Sequence, residues 1–420
     1  MKKLKMIGAI GGALSLVLCW PMAVGQMGQK ALTHTIQNLH SDRIAVSIEK
    51  YDRGYLTSEV MLHVNVMEPQ WRQHLADTGL PTEFEIASQL HHGVFSVRAH
   101  SVMQSTVELP LDVDSNTYLT GKTDFVAKLG SWLWESPSNS THRIQSEASM
   151  LSGEVTAKSG LTHYKIHVPK LLLALGELGN LDVEQLQGTG NDLHQGWWGN
   201  HHLSVEHVDV QQAQTRLTLQ QAEYRSQWLS NDQRVTHRHH VQASQWTLND
   251  QSAKNIDIDI ALNDADREAA LALLPYLTHP NVTHRQVPAS LAAQVDALFE
   301  KGFSVSLTRT AMSLKEGAFD IHGEWQIPQQ VQHASQNLLG AVIFQSQGNI
   351  HADIASSIIS AYPELLKLNQ FAPKAIQETN HGYTLDADFQ QGQVIFAEQA
   401  PISLLLALSP FVIQPPSLPQ

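Results

Sequence analysis

The sequence predicts a β-rich α+β protein: an N-terminal transmembrane helix, then extended antiparallel sheet, with a helical layer in the C-terminal half. Three observations carry that expectation. Lys2, Lys3 and Lys5 precede an uncharged, mostly apolar run from Met6 to Val24, about long enough as a helix to cross a bilayer's hydrocarbon core. From Ile44 onward, apolar residues recur at every second position, the period of a strand with one wet face. Near Asn263 the spacing turns helical, which divides the chain into 1–25 (basic start and anchor or signal), 26–262 (β-rich) and 263–420 (mixed α/β).

The opening segment admits two readings. Its length and Trp20, an aromatic at the outer interface, suit a retained anchor, whereas Ala23-Val24-Gly25 would serve as a signal cut with Gln26 becoming the new terminus. Either way the lysines stay in the cytoplasm and the bulk of the chain is expected across the membrane. Gly8 and Gly12 form a small-xxx-small pair through which two such helices could approach, one route to a homo-oligomer. Gly25 to His40 reads as a helical or flexible spacer.

Strands follow. Ile44, Val46 and Ile48, a turn at Asp52-Arg53-Gly54, then Val60, Leu62 and Val64 predict a hairpin; Phe84, Ile86 and Leu90 before His91-His92-Gly93, with Phe95 and Val97 after, predict a second. Val107 and Leu109, Leu203 to Val208, Leu217 and Leu219, and Ile256 to Ile260 repeat the habit, while Ser136 to Ser140 and Gly188 to Asn200 read as loops. Asp264 to Tyr276 reads as a capped helix, and Pro288 to Lys301 as a clearer one with Leu291, Val295, Leu298 and Phe299 on a stripe. Strands at Phe303 to Leu307 and at Phe319 and Ile321, helices from Pro328 and from Asp353 to Leu368, and a strand pair about Gln391-Gly392 complete the chain before a proline-rich tail.

Composition excludes some roles. The 420 residues carry a net charge of -13, which argues against nucleic acid and against broad adhesion to anionic head groups. Cys19 is the single cysteine, so the rest of the chain has no disulfide and relies on burial and hydrogen bonding.

No catalytic, cofactor-binding or metal residue can be assigned from motifs. Among 23 histidines, His237-Arg238-His239-His240 is the densest group, and on a strand His237 and His239 share a face, but no metal-binding spacing accompanies them. Asp257 and Asp259 alternate with Ile256, Ile258 and Ile260 and read as an outward acidic face. Trp197-Trp198 reads as loop aromatics packed against a sheet. No nucleophile elbow or phosphate-binding loop is present.

Tyr51-Asp52-Arg53-Gly54-Tyr55-Leu56-Thr57-Ser58-Glu59 resembles the Tyr-x-Arg-Gly-x-x-Ser-Ser motif of the YdgA-like bacterial envelope proteins, a family of unknown function. His92-Gly93-Val94-Phe95 resembles that family's His-Gly-x-Phe element, and the order of elements is similar over nearly the whole chain. Thr57 stands where a serine is common, and Val94 where a proline occurs. The resemblance implies a single-pass protein of the bacterial inner membrane with its bulk in the periplasm, and it singles out Tyr51, Arg53, Gly54, Ser58, His92, Gly93 and Phe95. Physically these residues read as structural: Gly54 permits a tight turn, Tyr51 packs at a strand end, and Arg53 serves loop carbonyls or Glu59.

The expected function is non-enzymatic. An inner-membrane-anchored envelope protein would use its β-rich domain to bind a protein partner or an apolar ligand such as lipid, because one apolar face repeats over many strands without a catalytic constellation. The alternative is an envelope hydrolase or metal-dependent enzyme acting through His237, His239 and His240. Expected partners are the membrane, lipid or an envelope protein, and a second copy of the chain; no cofactor is expected.

Overall fold

The structure, a computed structural model, describes residues 43–137, 141–156, 159–176, 179–194, 198–277, 288–396, 400–404 and 406–407, with 25–26, 29–30 and 33 before them. The run from Met6 to Val24, the tail after Ser409 and Trp197 lie outside the described residues. Among the described residues no helix is long and apolar enough to cross a membrane. The longest of the helices set out below has 11 residues, so it spans about half of a bilayer's hydrocarbon core. The expected fold is corrected on this point: the described chain is β-rich and antiparallel with short helices, and a transmembrane helix is not part of it.

The chain forms two compact units: 1–197 with 204–216, and 198–203 with 217–420. The first opens with the hairpin β1 (Ile44–Arg53) and β2 (Thr57–Val66). After helix α1 (Pro69–Thr78), strands β3 (Glu83–His92), β4 (Ser96–Gln104), β5 (Leu111–Tyr118) and β6 (Lys122–Leu129) extend the antiparallel ladder in chain order. β7 (Trp132–Glu135) pairs with β8 (His142–Ser146), and β9 (Ser149–Thr156) pairs with β6. β10 (Gly160–Leu175) takes β9 along its first half and β8 along its second, with β11 (Asn180–His194) on its other edge. β12 (Trp198–Gln212) contributes to both units.

Register fixes which side chains share a face, because they alternate along each strand. In the first unit one row runs Ser58, Leu90, Ala99, Ser115, Phe125, Gly153 and Tyr164; the next runs Val60, Ser88, Ser101, Val113, Ala127, Leu151 and Ile166. That face is apolar with small hydroxyls. The opposite face carries ion pairs, His100 and Lys128 on Asp114 and Lys122 on Glu154. Yet the apolar face is only half-buried: the described apolar residues of this unit that reach full burial are Val60, Val64, Leu90, Trp134, Tyr164 and Leu193.

The second unit is built differently. β13 (Thr215–Ser230), β14 (Arg234–Leu248) and β15 (Gln251–Asp266) lead to α2 (Arg267–Leu277) and α3 (Ala292–Lys301). β16 (Phe303–Leu314) and β17 (Gly317–Ile327) continue the sheet, followed by α4 (Leu338–Phe344) and β18 (Gln347–Ile354). After α5 (Ser356–Ala361) and α6 (Leu368–Phe371), β19 (Ile376–Thr379), β20 (Gly382–Gln390), β21 (Gln393–Phe396) and β22 (Ile402–Ser403) close it; β20 pairs with β18, and β21 links β20 to β22. Helices supply what the sheet buries. Val295 and Phe299 of α3 pack with Ile327, Val331, Ala334 and Ala341, and Ala270 of α2 packs with Trp228, Val235 and Ala265. Each such large apolar side chain contributes about 1.5–3 kcal/mol when fully buried.

Local chemistry sets the helix ends. The carboxylate of Asp266 accepts the Ala269 N–H at 2.9 Å and caps α2, while Gly302 at φ 70° stops α3. The strand-to-helix change near 263 thus falls at Arg267, inside the second unit.

Several expected elements differ. Val107 and Leu109 lie outside any strand, because β4 ends at Gln104 and β5 begins at Leu111, beyond Pro110, which has no N–H for a ladder. Gly188 to His194, expected as loop, is the end of β11; a Cβ at Gly190 would overlap the Tyr164 ring, so the glycine reflects close packing rather than a turn. The helix from Asp353 is β18 followed by α5, broken at Tyr362-Pro363, and the one from Pro328 shortens to α4, capped by Asn337 on the Gly340 N–H. The sequence reading missed α1, bounded by Pro69 at its first turn and by Gly79 at φ 84°.

Candidate functional site

The two motif segments meet at one end of the first unit. Antiparallel order places the β1–β2, β3–β4 and β5–β6 turns at the same end, and hydrogen bonds join them: the His92 N–H donates to Leu56 O at 2.7 Å, and the Leu119 N–H to Phe95 O at 3.2 Å. Each of the first two turns is closed by its glycine, with Gly54 N–H on Thr57 O and Gly93 N–H on Ser96 O, both at 2.8 Å. A Cβ at either glycine would press on that same carbonyl oxygen, so the tight turn accounts for the residue.

Ser58 and His92 are both buried, and Ser58 Oγ lies 2.9 Å from His92 Nε2. His92 Nδ1 is 3.4 Å from Tyr55 O, so the imidazole ties the first tip to the second. A side chain at Gly25 would overlap the same ring, which places the first described residue after the apolar run against His92. Tyr51 shares the Val60 side of the sheet, and its hydroxyl is buried without a hydrogen-bond partner among the described residues. Arg53 is exposed and makes no hydrogen bond or ion pair with a described residue, neither with loop carbonyls nor with Glu59. Phe95 is 71% exposed at its tip.

Sequence reasoning had not singled out the company Phe95 keeps. Tyr55, Leu56, Val94, Tyr118 and Leu119 are also exposed, two apolar side chains on each of the three adjoining tips. The sequence carries these residues as Tyr55-Leu56, Val94-Phe95 and Tyr118-Leu119, the first two pairs directly after the predicted turn glycines and the third in a stretch with no predicted turn.

The histidine-rich strand resolves into two faces. His237 and His239 point to one side with ring centroids 4.1 Å apart, and Trp198 and Trp228 stand edge-on to His237 at 5.0 and 5.2 Å. Tyr224 Oη lies 2.8 Å from His239 Nδ1. His237 is 3% exposed and its Nε2 has no partner; burial, then repulsion from His239 and His201, lowers its pKa to about 3, so the ring is neutral. His240 points the other way and pairs with Asp257 at 2.7 Å. The structure therefore does not bring His237, His239 and His240 together. On that second face Arg238 holds the buried Asp259 carboxylate, lowering its pKa, and Arg309 adds a 3.3 Å contact to Asp257. The paired aspartates form an ion-pair ladder rather than a free acidic face.

Another group could hold a metal. Glu49, placed beside the bulge between Ile48 and Lys50, joins His63 and Glu85 on neighbouring strands, with one donor atom of each within 4.8 Å of the others. Glu49 is exposed, and nothing else in the described residues marks the cluster as occupied.

Fold and site define a strand-dominated antiparallel protein whose motif residues converge on hairpin tips, with a half-buried sheet face in one unit and a sheet covered at one end by helices in the other. The chain belongs to a family described as Bacterial protein of unknown function (DUF945), whose family model matches residues 1–400. No curated protein matches the chain with significance, and neither does any solved structure.

Proposed function

We propose that this is a binding protein of the bacterial cell envelope, of the YdgA-like kind, whose first unit holds an apolar ligand such as a lipid acyl chain against its sheet. The observation that carries the reading is the half-buried apolar face running from β2 to β10. Leu151 and Val155 on it are 38% and 37% exposed, and Phe125, Val113 and Ile166 are half-buried. An apolar face that long favours an apolar occupant, and removing it from water is the driving force. The buried, unpartnered Tyr51 hydroxyl offers one polar group at its edge. The envelope location rests on the likeness of the 51–59 and 92–95 segments to the YdgA-like envelope proteins.

The test is the lipid content of the full chain purified from envelopes, measured by mass spectrometry, beside a Leu151→Lys, Val155→Lys double variant. Both side chains are exposed enough for the variant to fold. Lipid bound by the natural chain and lost from the variant is the expected result; natural protein without lipid contradicts the reading. Fractionation of cells into envelope and cytoplasm tests the location.

A further inference from the structure

We propose that the β1–β2, β3–β4 and β5–β6 tips dock on the surface of a phospholipid bilayer, with Leu56, Phe95 and Leu119 entering the acyl boundary and Arg53 and Arg98 meeting lipid phosphates. This does not depend on what the sheet face binds. Leu56 is 53% exposed, Phe95 71% and Leu119 45%, and the three stand on turns hydrogen-bonded to one another, so they form one apolar edge rather than scattered residues. The turns are tied down by Gly54 and Gly93 N–H bonds, so little order is lost on docking.

The charges beside the tips fit phosphate. Arg53, on the Ser58 side of the sheet, and Arg98, on the opposite side, are exposed, and neither guanidinium is paired with a described residue, whereas other basic side chains of this unit are committed to carboxylates, as Lys122 is to Glu154 and Lys128 to Asp114. Asp52, the acidic neighbour of Arg53, is itself held by Lys50 at 2.6 Å. Guanidinium suits phosphate oxygens, and apolar and aromatic side chains with arginine beside them suit the interface of a bilayer. The net charge of -13 opposes attraction of the whole chain to a membrane, so contact is confined to this edge.

What selects a bilayer over a protein partner is the chain's own continuity. The uncharged run from Met6 ends at Val24, and Gly25 lies against His92 between the first two tips. The most apolar stretch of the sequence therefore leads to this edge.

The test uses the full chain with Cys19→Ser and a single new cysteine, Phe95→Cys, Leu119→Cys or, as control, Leu133→Cys, which is 55% exposed on β7 away from the tips. Each is labelled with an environment-sensitive fluorophore and reconstituted with phosphatidylethanolamine–phosphatidylglycerol vesicles. Emission at 95 and 119 should shift to the blue and be quenched by spin-labelled acyl chains, while 133 stays aqueous. Aqueous emission at all three positions overturns the proposal, and a shift that needs added envelope protein assigns the edge to a protein instead. Arg53→Glu with Arg98→Glu should weaken the shift at 95; an unchanged shift overturns the phosphate contact.

Discussion

The two units meet the same problem, an antiparallel sheet with one apolar face, and solve it differently. In the second unit α2, α3 and the turns around Val331 and Ala334 cover one end of the sheet, where Phe299, Val295 and Ile327 are almost fully removed from water, while Val241 and Ile260 farther along stay 37% and 40% exposed. In the first, Phe125, Val113, Leu151 and Ile166 form comparable rows that stay half open. A buried core makes a unit stable for its own sake, whereas a half-open apolar face costs solvation and persists where something else covers it.

Truncating a core residue on each side is the sharpest way to break that comparison. Phe299→Ala should destabilise the second unit by about 3–5 kcal/mol, and Leu151→Ala the first by under about 1 kcal/mol, in denaturant unfolding of lipid-free protein. Equal losses would mean that the sheet face of the first unit is a closed core.

Acid should act next, and on the second unit. Below pH 6.5 the unfolded chain takes up a proton at His237 that the folded chain, with its pKa near 3, refuses. Stability is therefore full above pH 6.5 and declines as pH falls, by about 2 kcal/mol at pH 5. His237→Leu should flatten this slope in unfolding curves recorded from pH 7 to 5, and an unchanged slope would remove His237 as its source.

Smaller effects follow. Ser58→Ala removes the bond to His92 and should cost the first unit about 1–2 kcal/mol, read as a shifted denaturant midpoint. His351 has the opposite sign to His237: the Asp386 carboxylate, helped by Asp353, raises its pKa, so its contribution is present below 6.5 and fades as pH rises past the folded value. Because the pair is partly solvated, His351→Gln should cost only a few tenths of a kcal/mol at pH 5.5, and less as the pH rises.

Much of the strand pattern was legible, because period-two alternation survives wherever one face is wet. The hairpins at Gly54 and Gly93, the stripe of Leu291, Val295 and Phe299, and the strand pair about Gly392 follow the residues that announced them. What escaped depended on partners distant in sequence. Gly190 looks like a turn residue until the Tyr164 ring is placed beside it, and α1, with few apolar residues, is marked in the sequence only by Pro69 and Gly79. At the site, the turn role of Gly54 and Gly93 could be read locally. The Ser58–His92 contact, 34 residues apart, and the separation of His240 from His237 could not, since both depend on strand register.

The central claim is that the first unit's sheet face takes up an apolar ligand and the second unit's, whose apolar face α2 and α3 cover only around Val235, Ala265 and Ile327, does not. Photo-crosslinking in living cells tests it directly, with a photoreactive residue at Leu151 on β9 or at Ile260 on β15, which are 38% and 40% exposed. Crosslinks to lipid at 151 and none at 260 are the predicted result. Lipid at neither position, or at both alike, would contradict the account.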